Sequence, residues 1–226
     1  MPPTFISSSP NRMSNMKFTS FIKLINIGKL SQTEWTEMNK KSNFRFNRAY
    51  LINVGFRESN VNCDYIAMHD VDLLPSNPDL LYKYPESGPL HLSGPGLHPK
   101  YDYPTFIGGI LLISRKMYSK LGGMSNKYWG WGLEDDEFFV RRRQANLVIE
   151  RPKGIRTGKS GTFRHVHITK DRPRDNAKCY NQRNATRRRD KQTGLSNTLY
   201  TVASRRRLII DGALVHFLDI ELGEYE

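Results

Sequence analysis

Tyr65-Ile66-Ala67-Met68-His69-Asp70-Val71-Asp72 is an apolar run that ends abruptly in charge. A short apolar stretch without a turn former fits a strand buried on both faces, and the two carboxylates place its end at a site. In an extended segment, residues two apart point the same way. Asp70 and Asp72 are therefore expected to face one ligand while Val71 packs behind. Open α/β sheets gather their ligands at strand ends. A bare Asp-x-Asp triplet also fits a solvated turn, so the preceding strand carries the reading.

The neighbouring segments build a fold around this strand. Thr105–Ser114 is a second strand candidate, and Arg115–Leu121 predicts a helix stopped by Gly122-Gly123. Phe44 to Phe56 mixes apolar and polar faces as a helix does. Pro, Ser, Asn and Gly dominate 75–104, predicting a long loop with one helical patch at Pro78–Tyr84. Further on, the sequence predicts a helix over Asp135–Gln144 with Phe138 and Phe139 inward, and a third strand at Leu147–Ile149. Phe163–Ile168 alternates with the period of a strand, Arg172–Gln192 reads as an exposed polar helix, and Leu208–Ile210 and Val215–Leu218 as strands. Strand–helix alternation makes α/β the expected class. Residues 1–43 are rich in Ser, Asn, Lys and Met around one apolar stretch, Phe21–Ile27, and are expected to be weakly ordered. The domain reading is a divergent segment 1–43, a single domain 44–222 and a tail 223–226.

Composition narrows the function classes. No run approaches the ~18 apolar residues of a membrane-spanning helix, and the N-terminus lacks the basic start and apolar stretch of a signal peptide. Cys63 and Cys179 neither demand nor exclude a disulfide, and Asn184-Ala185-Thr186 is a glycosylation triplet of a kind common by chance. The net charge of +13 is unevenly spread: residues 141–210 hold 20 Lys and Arg against 4 Asp and Glu, the remainder 15 against 18. Such a basic half suits nucleic acid, a membrane surface or a nucleotide diphosphate, and runs such as Arg187–Arg189 and Arg205–Arg207 also fit a solvated face. Only Phe163, Tyr180 and Tyr200 are aromatic there, few for stacking bases, and no zinc-finger, RNP or P-loop spacing occurs. Nucleic acid is therefore not expected as a partner.

Two further motifs carry chemistry. Trp129-Gly130-Trp131-Gly132-Leu133-Glu134-Asp135-Asp136 alternates aromatics with glycines, a poor helix or strand, and then sets three carboxylates in a row. Acids favour the first helical turn, so a charged helix start is the plain reading. The other is a mobile tryptophan closing over a polar substrate beside a carboxylate base. His165-Val166-His167 places two imidazoles on one face of an extended segment. With Asp72 they would make three protein ligands and leave positions open; Mn²⁺ accepts such a mixed set, as Zn²⁺ and Fe²⁺ would. His69, His91, His98 and His216 are read as structural.

Taken together, Phe46-Asn47-Arg48, Asp70-Val71-Asp72, Gly108-Gly109-Ile110-Leu111, Trp129 to Phe138 and His165-Val166-His167 resemble the β-1,4-galactosyltransferases, over about Phe44 to Leu222. The His-x-His pair is similar to the branch acting on xylosylated proteins. The resemblance implies a single-domain, GT-A-like, Rossmann-like nucleotide-sugar-binding sheet flanked by helices. It implies inverting transfer of galactose from UDP-galactose to the 4-hydroxyl of xylose on a proteoglycan core protein, in the Golgi lumen. Carried across, Asp72, His165 and His167 would hold Mn²⁺. Phe46, Asn47, Arg48, Asp70, Val71, Asp72, Tyr101, Trp131 and Arg174 would meet the donor. Asp135 would be the base, with Trp131, Leu133, Glu134, Asp135 and Asp136 around the acceptor. The family's membrane anchor, stem and first uridine-gripping strand are not recognisable in 1–43, and Lys29–Ser42 looks like an insertion. A truncated relative that binds UDP and Mn²⁺, or only protein partners, is the alternative expectation.

Overall fold

The structure, a computed structural model, describes residues 21–27, 33–40, 45–59, 62–170, 173–177, 182, 188–210 and 213–223. Its main element is a seven-stranded sheet. In chain order the strands are β1 (Phe21–Ile27), β2 (Thr33–Lys40), β3 (Tyr65–His69), β4 (Leu73–Pro75), β5 (Leu90–His91), β6 (Ile110–Ser114), β7 (Phe163–His165), β8 (Tyr200–Ile210) and β9 (Ala213–Leu222). The helices are α1 (Arg48–Glu58), α2 (Arg115–Leu121), α3 (Glu134–Gln144) and α4 (Gly158–Thr162). The large sheet runs β5-β6-β3-β1-β2-β9-β8, and β4 pairs with β7 in a small ribbon of its own.

β3 forms where the apolar run predicts it, and all five of its residues are buried. Its alternation divides the core. Ile66 and Met68 join Leu111 and Ile113 of β6 under α1, packed with Leu51, Ile52, Tyr118 and Phe138. Tyr65 and Ala67 join Ile110 and Leu112 on the opposite face with Leu90, Leu92 and Phe163. A strand covered on both faces needs apolar residues at every position, which is why β3 and β6 read as continuous runs. Leu218, Ile220 and Leu222 of β9 extend the first cluster.

Two polar side chains inside this core are fully engaged. Asn53 donates to Met124 O and Asn126 Oδ1 at 2.7 and 2.8 Å, and its Oδ1 accepts from Tyr118 OH and Met124 N. Arg141 is buried despite the basic composition of its region. Its Nε bonds both Glu137 oxygens at 2.9 and 2.8 Å, and its other nitrogens reach the carbonyls of Gly123, Asp190 and Thr193. A buried ion pair this fully bonded fixes α3 to the segment after 188.

Several expectations need correction. The stretch Phe21–Ile27, expected to be weakly ordered, is a central strand, and β2 lies within Lys29–Ser42. The neighbour β1 gives to β3 is antiparallel. Every pairing in the large sheet is antiparallel except β2 with β9. Strand–helix alternation does not encode pairing direction; short connections such as the five residues between β1 and β2 favour antiparallel return. Pro78–Tyr84 is not helical: Asn77 Oδ1 takes Asp79 N at 2.7 Å, a side-chain turn that competes with helix formation. Leu147–Ile149 is not a strand and leaves Val148 72% exposed, because only a bridge from Leu90 to Glu150 forms there. β7 stops at His165, short of the expected Ile168. In the expected helix Arg172–Gln192, residues 173–177 and 188–192 are not helical, and most of the rest, with Cys179 and Asn184–Thr186, lies outside the described residues. Among the described residues, no helix is long and apolar enough to cross a membrane.

Candidate active site

The end of β3, the start of α1, the start of α3 and the β4–β7 ribbon enclose a cleft of about 470 Å³. Asn47 makes the first of these possible. Its Oδ1 accepts from Tyr50 N at 2.9 Å, capping α1, and its Nδ2 donates to Asn126 O. The cap sets Arg48 as the first helical residue, facing the cleft. Asn47 itself is fully buried and does not line the cleft, contrary to its expected contact with the donor, because both ends of its amide are spent on the scaffold.

Past β3 the chain turns rather than continuing extended. Asp70 N donates to Gly109 O at 2.9 Å and Leu73 N to Asp70 O at 3.2 Å. Asp70 and Asp72 both line the cleft, and so does Val71, which was expected to pack behind. Arg48 donates through Nε and Nη2 to Asp70 Oδ1 at 3.0 and 2.8 Å. Asp72 serves different partners. β4 pairs with β7 so that Leu73 opposes His165, and Val166 N donates to Asp72 O at 2.8 Å. This pairing carries both imidazoles to one carboxylate oxygen: His167 Nδ1 lies 3.2 Å and His165 Nε2 3.6 Å from Asp72 Oδ2. Residues nearly a hundred positions apart thus converge.

Does this set suit a divalent cation? Neighbouring ligand atoms around a small octahedral ion sit roughly 3 Å apart, given bonds of about 2.1 Å. The 3.2 Å spacing is close to that, and 3.6 Å calls for a small rotation of the His165 ring. Accordingly, among the described residues no three His, Cys, Asp or Glu groups already close on one point. His167 Nε2 is buried without a hydrogen-bond partner. Burial lowers the proton affinity of His165, favouring the neutral form that ligates metals. Two imidazoles and a carboxylate, a mixed nitrogen and oxygen set, fit Mn²⁺ or Zn²⁺ better than Mg²⁺.

The second acidic cluster is held differently. α3 begins after Leu133, whose φ of 79° is left-handed and whose side chain gives no cap. Glu134, Asp135 and Asp136 occupy the first turn, and Asp135 Oδ1 accepts from Asp136 N at 3.0 Å. Asp135 Oδ2 lies so near Gly108 that a Cβ there would stand 2.4 Å from it. Burial, reinforced by Asp135, lifts the Glu134 pKa to about 7, and burial with the same neighbour lifts Asp136 to about 6. Burial also raises Asp135, while the charge of Arg48 opposes that rise. Arg48 spans the two clusters, with Nη1 3.6 Å from Glu134 Oε1. Burial works against its charge, and Asp70, Glu134 and Asp135 outweigh that effect.

Trp131 stands over this floor, 43% exposed, with Arg174 Cζ 4.5 Å from its ring centre. Trp129 is buried in the core instead. Phe46, Tyr101, Leu133 and Arg174 also line the cleft, and of the anticipated site residues Asn47 alone does not. Missed were His98, Tyr103 and Phe106, which form one wall. Tyr103 partly offsets the rise in the proton affinity of Asp136. The histidines read as structural hold site backbone: His91 Nε2 donates to Gly108 O at 2.8 Å, and His98 Nδ1 accepts from Lys100 N and Tyr101 N at 3.0 and 2.9 Å. A polar residue inside an otherwise turn-rich stretch was the one sequence signal for His98.

Known proteins resemble this architecture. Residues 88–166 match the family described as the N-terminal domain of galactosyltransferase. β-1,4-galactosyltransferase 7 of Drosophila melanogaster is 55% identical over 82% of this chain and 58% of its own length. The human protein of that name is 51% identical over 82% and 56%, and the Caenorhabditis elegans xylosylprotein 4-beta-galactosyltransferase 47% identical over 82% and 65%. The chain therefore spans somewhat more than half the length of these relatives. The crystal structure of the Drosophila catalytic domain with xylobiose is 54% identical, covers 83% of this chain and 79% of that one, and superposes with a TM-score of 0.79. A point mutant of that domain, in complex with manganese, UDP-Gal and xylobiose, matches equally well.

Proposed function

This chain belongs to the β-1,4-galactosyltransferase family, and from that premise we propose that it transfers galactose from UDP-galactose to the 4-hydroxyl of a xylose carried by a proteoglycan core protein, with inversion. The observation that carries this reading is the meeting of Asp72, His165 and His167 in the same cleft as the half-buried Asp135. The relatives' names and the xylobiose and UDP-Gal complexes support xylose as acceptor and UDP-galactose as donor.

Asp72, His165 and His167 would hold Mn²⁺, the ion in the related complex. When bound, it supplies Lewis acidity that offsets charge on the departing diphosphate. Asp135 takes the proton from the acceptor hydroxyl, whose oxygen attacks the anomeric carbon of galactose as the bond to UDP breaks. Its desolvation makes it a stronger base than an exposed aspartate, and the charge of Arg48 limits that rise. Glu134 and Asp136, with proton affinities raised into the neutral range, can share hydrogen bonds with sugar hydroxyls as donors or acceptors. Arg174, Arg48 and Phe46 meet the donor, and Trp131 excludes water that would otherwise hydrolyse it.

The catalytic unit is the 44–222 domain, with β1 and β2 completing its sheet. The strand β1 beside β3 favours this reading over a truncated, binding-only relative. A transferase of this type is consistent with the secretory pathway, and we infer the Golgi lumen as its compartment. The test is galactose transfer from UDP-galactose to a β-xyloside, with and without Mn²⁺, beside an N-acetylglucosamine acceptor. Metal-dependent transfer to xylose alone is expected; transfer preferring N-acetylglucosamine, or none at all, overturns the reading.

A further inference from the structure

The tryptophan loop sits in its place with little burial to hold it. Trp131 keeps 43% of its surface exposed, so apolar contact alone does not fix it. Two backbone bonds do: Gly130 N donates to Phe46 O, and Trp131 N to Asp175 O, each at 2.7 Å. The acceptors come from segments about 85 residues before and 45 after the loop, so the loop is placed only if those segments are themselves joined.

They are joined by one side chain. Arg45 Nε reaches Asp175 Oδ2 at 2.5 Å, and its Nη2 donates to the carbonyl oxygen of Ala177. Asp175 Oδ1 in turn accepts from Ala177 N at 3.3 Å. Gly130 lets this guanidinium pass against the loop. Its φ is 85°, and a Cβ would fall 2.2 Å from Arg45 Nη2 and 2.9 Å from Asp175 O. Arg174, next to the aspartate, lies over the Trp131 ring from the same segment. We propose that Arg45 and Asp175 form a latch that holds the Gly130–Trp131 loop over the cleft, as positioning residues for the transfer proposed above.

Because Arg45 precedes Phe46 in the chain, the latch also ties the loop to the segment that lines the donor side. Opening the cleft requires breaking the Arg45–Asp175 pair, and closing it remakes a charge-assisted bond together with two backbone bonds. The loop position and the Phe46–Arg48 segment are therefore coupled without any contact between Arg45 and a reacting atom.

The inference rests on the transferase reading only for its consequence, so its test begins with a readout independent of activity. Hydrogen exchange of the Gly130 and Trp131 amides is followed in the whole chain. Arg45→Gln should speed exchange of these two amides about tenfold, the loss expected for one charge-assisted bond, while β3 and β6 stay protected. The same substitution should lower kcat/KM with xyloside by a similar factor. The charge swap, Arg45→Asp with Asp175→Arg, should restore part of both. Should Arg45→Gln loosen the whole chain, Asp175→Asn decides by the same readout. Unchanged exchange at Gly130 and Trp131 overturns the latch, whatever the activity. Faster exchange, reversed by the swap, in a chain that transfers nothing even as wild type upholds the latch and removes the transferase reading instead.

Discussion

Asp70 and Asp72 on one side of the cleft, and Glu134, Asp135 and Asp136 on the other, use the same functional group in opposed surroundings. The first pair has fixed partners: Arg48 grips Asp70 with two bonds, and two imidazoles share one oxygen of Asp72. The second set is half-buried at a helix start that offers it backbone amides but too few cations, and its proton affinities climb. Surroundings divide the labour. Carboxylates with fixed partners suit holding a cation, whereas carboxylates of raised proton affinity suit moving a proton. Arg48 reaches both sets, so the two halves are electrically linked through a single guanidinium.

Four substitutions probe that division. Asp135→Asn should lower kcat by about 10²–10⁴-fold, the usual worth of a general base, with UDP binding retained. Retained activity in this variant erases the distinction between the clusters. Asp72→Ala should do the reverse: Mn²⁺-dependent binding of UDP, followed by calorimetry, should weaken at least about 100-fold while the fold persists. Gly108→Ala inserts a Cβ 2.4 Å from Asp135 Oδ2 and should cost transfer up to about 100-fold through displacement of the base, with donor affinity little changed. Single-turnover rates beside UDP titration separate the two effects. Glu134→Gln should act on stability. The folded chain retains a proton on Glu134 up to about pH 7, where the unfolded carboxyl releases it near 4.5. Stability conferred by the protonated form is thus lost as pH rises through that window. The glutamine variant should flatten this slope and gain roughly 2–4 °C in Tm above pH 7, the shift about 1 kcal/mol gives a chain of this size. A variant that parallels the wild type across pH 4–8 would show that Glu134 titrates alike in the folded and the unfolded chain.

Much of the site was legible because its groups lie in short local patterns at element ends. Asp70-Val71-Asp72 follows an apolar strand, His165-Val166-His167 a two-residue alternation, and the acids of α3 a glycine-rich loop. What the sequence could not show is pairing over distance. The Arg48–Asp70 bond, the β4–β7 register that delivers both histidines to Asp72, and the Arg45–Asp175 pair all depend on segments far apart. Asn47 was misread because a capping asparagine and a ligand-binding one look alike until the amide's partners are known. β1 was noted as an apolar stretch yet not read as a strand, and β2 was not read at all, because the strand character of both comes from neighbours on either side.

The position of β9 has a bearing on biosynthesis. It lies between β2 and β8, parallel to one and antiparallel to the other, and brings Leu218, Ile220 and Leu222 beneath α1. A nascent chain therefore has no neighbour for β8, and an uncovered flank on α1, until residue 222 has left the ribosome. For that interval the growing polypeptide exposes greasy surface that invites chaperones. Nonsense or frameshift changes just upstream of Ala213 should send it to degradation even though every proposed catalytic side chain has already been made.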